Sequence, residues 1–97
     1  MKIEPDPVVH PRIHEKHKEL ESADVIHAWK SAIVSTPRLD GSGSWIAIGL
    51  DSKGRLLEMV AIYHTSPAEI GPGKWLIYHA MTPPSNKTLH ELRIDRR

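Results

Sequence analysis

Ninety-seven residues with a formal charge of +1, no cysteine and no phenylalanine describe one domain. The missing cysteines exclude a disulfide scaffold, a thiol nucleophile and thiolate metal ligands, and they fit a reducing cytoplasm. No apolar run approaches the roughly 20 residues of a membrane span, and the charged N-terminus is unlike a signal peptide, so the expectation is a soluble, cytoplasmic protein.

The first ten residues contain Pro5 and Pro7 and allow at most a short edge strand followed by a turn. Pro11 suits a first helical position, and a helix is expected from about Pro11 to Leu20. His10, His14 and His17 fall on one side of it, spaced i, i+4 and i+7, with Ile13 and Leu20 on a neighbouring stripe. Ser22 is the expected cap of a second helix reaching about Ser35, with Asp24 in its first turn. Its apolar stripe is Val25, Ile26, Trp29, Ala32 and Ile33. Pro37 ends it, and Arg38 to Ser44 reads as a loop.

Three apolar runs follow, WIAIGL, LLEMVAIYH and WLIYHAM. They are rich in Ile, Val, Trp and Tyr and too short for buried helices, so they read as an antiparallel meander. The first break, Asp51-Ser52-Lys53-Gly54, is a tight hairpin. The second spans roughly Thr65 to Lys74 and contains Pro67, Gly71, Pro72 and Gly73. Simple alternation places Leu57, Met59, Ala61 and Tyr63 on one face of the second strand and Leu56, Glu58, Val60, Ile62 and His64 on the other. In the third strand it groups Trp75, Ile77, His79 and Met81 against Leu76, Tyr78 and Ala80. Thr82-Pro83-Pro84 opens a last helix through about Ile94. The expected fold is therefore α+β: two N-terminal helices on a three-stranded antiparallel meander, closed by a short C-terminal helix. One sheet face is expected to be only half covered, leaving a groove.

The phrases IHEKHKELESADVIHAW, WIAIGLDSKGRLLEMVAIYH and WLIYHAMTPPSNKTLHEL resemble the small type II toxins of the BrnT kind, a branch of the RelE/ParE-like ribonuclease toxins. The resemblance spans about residues 12 to 94, with His17, Gly49, Gly54, Arg55 and Ala80 as the aligned positions. It departs at the end of the third strand, where His79-Ala80-Met81 stands in place of the family's usual Ser-Ala-Arg. The resemblance implies a single RelE-like toxin domain over residues 1–97. It also implies a toxin of a bacterial toxin–antitoxin system that cleaves mRNA without a metal ion or cofactor and so inhibits translation. Its implied partners are a cognate antitoxin and the RNA substrate, with no membrane, and its implied assembly is a homodimer or a toxin–antitoxin heterotetramer.

Cleavage of RNA needs a base for the ribose 2′-hydroxyl, an acid for the leaving 5′-oxygen and a cation for the charge on phosphorus. Histidine titrates near working pH, and arginine matches phosphate oxygens with a planar fork. The chain offers His79, His64, His17 and Arg55 as catalytic candidates. Tyr63, Tyr78 and Lys87 are substrate-binding candidates, the tyrosines as stacking platforms. No HExxH order exists, and no metal is expected. Each candidate also has a packing or surface reading. The absent arginine on strand three and the near-neutral charge favour an alternative, a non-catalytic protein- or RNA-binding module of the same fold.

Overall fold

The computed structural model describes residues 6–64 and 74–93, His64 by its backbone only. The second expected break at 65–73 and the helix end at Ile94 lie outside the described residues. The elements are β1 (Val8–Val9), α1 (Arg12–Lys16), α2 (Ser22–Lys30), β2 (Ala32–Pro37), β3 (Trp45–Leu50), β4 (Leu56–His64), β5 (Lys74–Met81) and α3 (Asn86–Glu91).

The sheet has five strands in the order β1-β5-β4-β3-β2, which corrects the expected three-stranded meander. The three central strands occur where the apolar runs place them, and they pair antiparallel. Two further strands flank them. β1 joins β5 in parallel through Val8 and Val9, making the sheet mixed. β2 occupies residues expected to be helical. The helix stops at Lys30, where the Ser31 hydroxyl donates to the His27 carbonyl at 2.6 Å. Beyond it, Ala32, Val34 and Thr36 turn toward the protein while Ile33, Ser35 and Pro37 are exposed, the period-two pattern of a strand. The β-branched residues Ile33, Val34 and Thr36 favour that outcome.

Helix boundaries are shorter than expected throughout. α1 has five residues and ends at His17, whose φ of −128° is not helical. The cap of α2 is Glu21, not Ser22, and the Asp24 carboxylate accepts from the Glu21 N–H at 3.0 Å. α3 is capped by Ser85 rather than Thr82: its hydroxyl accepts from the Thr88 N–H at 3.2 Å.

α1 and α2 cover one face of the sheet, burying Ile13, Leu20, Val25 and Ala28 against Ala47, Leu57, Met59, Ala61, Ile77 and Ala80. On the other face Ile46, Ile48 and Val60 are buried, as is Leu89 of α3. An open groove of about 620 Å³ remains between β2 and α3, lined by Val34, Thr36, Leu39 and Leu92 among others. None of the described helices is long and apolar enough to cross a membrane.

An ionic lock joins the β3–β4 hairpin to the start of α2. Arg55 donates through Nε to Asp51 at 2.8 Å, through one terminal nitrogen to Asp24 at 3.0 Å, and through the other to the Glu19 carbonyl at 2.9 Å. Lys53 adds a second contact to Asp24 at 3.0 Å. Asp24 and Asp51 are both buried. Burial raises their carboxyl pKa values, but backbone N–H donors and these cations outweigh it, so both fall below the ordinary range.

Gly49 sets how closely α2 can approach β3. A Cβ there would collide with the carbonyl oxygen of Ala28 on α2, so only glycine fits. Gly49→Ala is expected to destabilise the fold by about 3 kcal/mol, at the upper end of overpacking costs, measured as a lowered urea midpoint with an unchanged slope. A loss below about 0.5 kcal/mol would show that the helix shifts freely and that the contact is not limiting.

Candidate functional site

The site forms where β4, β5, α1 and the start of α3 meet, and a break in strand register creates it. Val60 pairs with His79 but Ala61 pairs with Ile77, so Tyr78 is an extra residue, a β-bulge. The bulge corrects the simple alternation expected for β5. Ile77 and Ala80 both enter the core beneath α1 and α2, while His79 turns to the opposite face beside Glu58.

Glu58 is buried near the start of an apolar strand, and every carboxylate contact is a donor. His79 Nε2 lies 2.7 Å from Oε2, while the Ser85 N–H and hydroxyl donate to Oε1 at 2.7 and 3.0 Å. Burial pushes the Glu58 pKa up, but His79, the Ser85 N–H and the Thr88 and Ser85 hydroxyls together bring it down to about 2. The carboxylate is therefore ionised and carries no proton, so His79 Nε2–H must be the donor. In the neutral ring form that choice leaves Nδ1 as an acceptor. The His79 side chain is 35% exposed, against 6% for Glu58.

Two clefts flank His79. The α1-side cleft, about 270 Å³, is lined by Arg12, Lys16, His17, Tyr78 and His79. The α3-side cleft, about 320 Å³, is lined by Arg12, Arg38, Tyr78, His79, Ser85 and Lys87 among others. Arg12, Tyr78 and His79 belong to both. Arg12 Nε donates to the Tyr78 carbonyl at 3.2 Å, so the bulge anchors the guanidinium beside His79. Arg38 is held by both carboxylate oxygens of Glu91 at 3.1 Å.

Among the sequence candidates, the structure brings together His79, His17, Tyr78 and Lys87 around these clefts. It does not bring the others there. Arg55 lies on the α1–α2 face of the sheet, with its guanidinium nitrogens engaged in the ionic lock. His64 is in register with Lys74 at the start of β5, away from the His79–Val60 pair. Tyr63 packs edge-on against Trp75 at 5.1 Å, in a cluster that includes Trp29 and Trp45. The other helix-start histidines have local partners. His10 Nδ1 accepts from the Arg12 N–H at 3.1 Å, and His14 Nδ1 lies 2.9 Å from the Leu20 carbonyl. Among the described residues no three His, Asp or Glu side chains gather as a metal-ligand group.

Glu58, Arg12 and Ser85 were not singled out from the sequence. Glu58 did carry a signal, since a lone carboxylate inside LLEMVAIYH must find donors if the strand is buried. Arg12 carried none, being one of thirteen cations. No family model matches the chain, and no curated protein or solved structure matches it either. The resemblance to BrnT-like toxins thus rests on the quoted phrases alone.

The Glu58 contacts make stability acid-sensitive. Because its folded-state pKa lies below the ordinary 4.5, the stabilisation is complete above pH 4.5 and is lost as pH falls toward 2. The stability difference between wild type and Glu58→Gln should therefore shrink between pH 5 and pH 2 by on the order of 3 kcal/mol, measured by urea unfolding. A pH-independent difference would show that the carboxylate charge is not what the donors stabilise.

Proposed function

We propose that the protein is an endoribonuclease that cleaves RNA by acid–base chemistry without a metal ion, as a toxin whose clefts a cognate antitoxin covers. The observation that carries the reading is the His79–Glu58 pair. A partly exposed imidazole has one nitrogen fixed by a buried, ionised carboxylate, and it stands beside Arg12 and Lys16, which have no ion-pair partner among the described residues. Glu58 orients the ring and stabilises the imidazolium that forms when Nδ1 accepts a proton.

The reaction balances with side chains of this site. His79 Nδ1 takes the proton of the ribose 2′-hydroxyl as O2′ bonds to phosphorus. The P–O5′ bond breaks, and protonated His17 gives its proton to the departing O5′. The products are a 2′,3′-cyclic phosphate and a 5′-hydroxyl end, and proton exchange with water restores both histidines. Arg12, anchored beside His79, stabilises the charge that develops on the phosphoryl oxygens. Arg12 takes the cationic role that the sequence suggested for Arg55. Tyr78, common to both clefts, is the stacking platform.

On this reading His79→Ala lowers kcat on single-stranded RNA by about a hundredfold or more, the usual scale for losing a general base. Glu58→Gln lowers kcat with KM nearly unchanged, because Glu58 positions the base without touching substrate. Tight induction of the wild type should arrest growth, and His79→Ala should relieve the arrest with soluble protein still present. Unimpaired cleavage by soluble His79→Ala would overturn the assignment. RNA binding with no cleavage by the wild type would favour the non-catalytic module instead.

A further inference from the structure

We infer that the α3-side cleft is a subsite for the phosphate on the 5′ side of the attacking nucleotide in a single-stranded RNA, with Lys87 as its cation. The inference rests on His79 as base and His17 as acid. Arg12, Tyr78 and His79 are common to both clefts, so a strand crossing His79 enters by one cleft and leaves by the other.

Chemistry then fixes the direction of the strand. The acid must reach the departing O5′, so the 3′ nucleotide lies in the α1-side cleft with His17 and Lys16. The nucleotide supplying the 2′-hydroxyl lies on the α3 side, and its own 5′-phosphate is carried toward Lys87. In-line attack by O2′ also requires a ribose freed from A-form stacking, which selects an unpaired strand.

Charge accounting singles out Lys87. Arg38 faces the same cleft, but both Glu91 oxygens engage it and Asp40 lies 3.8 Å away. Glu58 also lines the cleft, but it is buried and satisfied by His79 and Ser85. Lys87 is exposed and has no ion-pair partner among the described residues. Its flexible ammonium can follow a phosphate as a point charge.

The test uses a pool of dinucleotides of all base combinations, with ribose at the 5′ position and deoxyribose at the 3′ position, so that only one bond can be cut. Each is supplied unphosphorylated, 5′-phosphorylated or 3′-phosphorylated. In the wild type the 5′-phosphate should raise kcat/KM by about tenfold, the worth of one charge-assisted hydrogen bond. That ratio should fall to near one in Lys87→Ala and below one in Lys87→Glu. Any gain from the 3′-phosphate should depend on Lys16 and be insensitive to Lys87. A 5′-phosphate gain that survives Lys87→Ala overturns the inference, as does a Lys87-dependent gain from the 3′-phosphate or no gain at all. Cleavage of long RNA with every dimer left intact also overturns it, because the two clefts would then not suffice for substrate. Failure of the wild type to cut any RNA instead overturns the acid–base reading itself.

Discussion

The buried carboxylate of Glu58 is the constraint around which this end of the molecule is arranged. A charge inside an apolar sheet is tolerated only when donors surround it. Here those donors come from β5, through His79, and from the cap of α3, through the Ser85 N–H and hydroxyl. One ion therefore ties β4 to β5 and seats the start of α3 on the sheet. It also fixes His79 Nε2 as the donor to that carboxylate, and Nδ1 has no hydrogen-bond partner among the described residues. On the proposed reading, satisfying a structural debt and preparing a base are the same set of hydrogen bonds.

That arrangement depends on the bulge at Tyr78. With regular alternation His79 would share a face with Ile77 and enter the core beneath α1 and α2. The extra residue lets Ile77 and Ala80 both remain in that core while His79 crosses to the face of Glu58. It also turns the Tyr78 carbonyl outward, where Arg12 caps it. A single backbone irregularity thus places His79 and the Arg12 guanidinium together, in keeping with the tendency of bulges to re-aim side chains.

The parts legible in the sequence were those written in local pattern. β3, β4 and β5 are continuous apolar runs, and the Asp51–Gly54 hairpin carries its own turn chemistry. β2 was hidden because Ala32 and Ile33 extend the helical spacing of Val25, Ile26 and Trp29, and only pairing with β3 reveals the strand. β1 is two residues long, and its parallel partner lies far along the chain. The bulge has no sequence signature, so His79 was recognised as a candidate but assigned to the wrong face. Arg55 was conspicuous beside the hairpin glycine, yet its partners Asp24 and Glu19 are brought to it only by packing of α2 and the α1–α2 turn.

Near-neutral net charge argues against a polyanion ligand only if the charges are mixed evenly, and they are not. Lys53 and Arg55 are neutralised by Asp24 and Asp51 on the α1–α2 face, and Arg38 is neutralised by Glu91. Arg12, Lys16 and Lys87 have no ion-pair partners among the described residues, and all three line the clefts beside His79. Asp24, Asp51, Glu58 and Glu91 are thus spent on holding the fold. The clefts carry three cations without an ion-pair partner among the described residues, although the chain carries only +1. A phosphate strand responds to the charges within a Debye length of about 8 Å at physiological salt, not to the total. On the proposed reading, low net charge limits long-range attraction to RNA, and these three cations act at contact range.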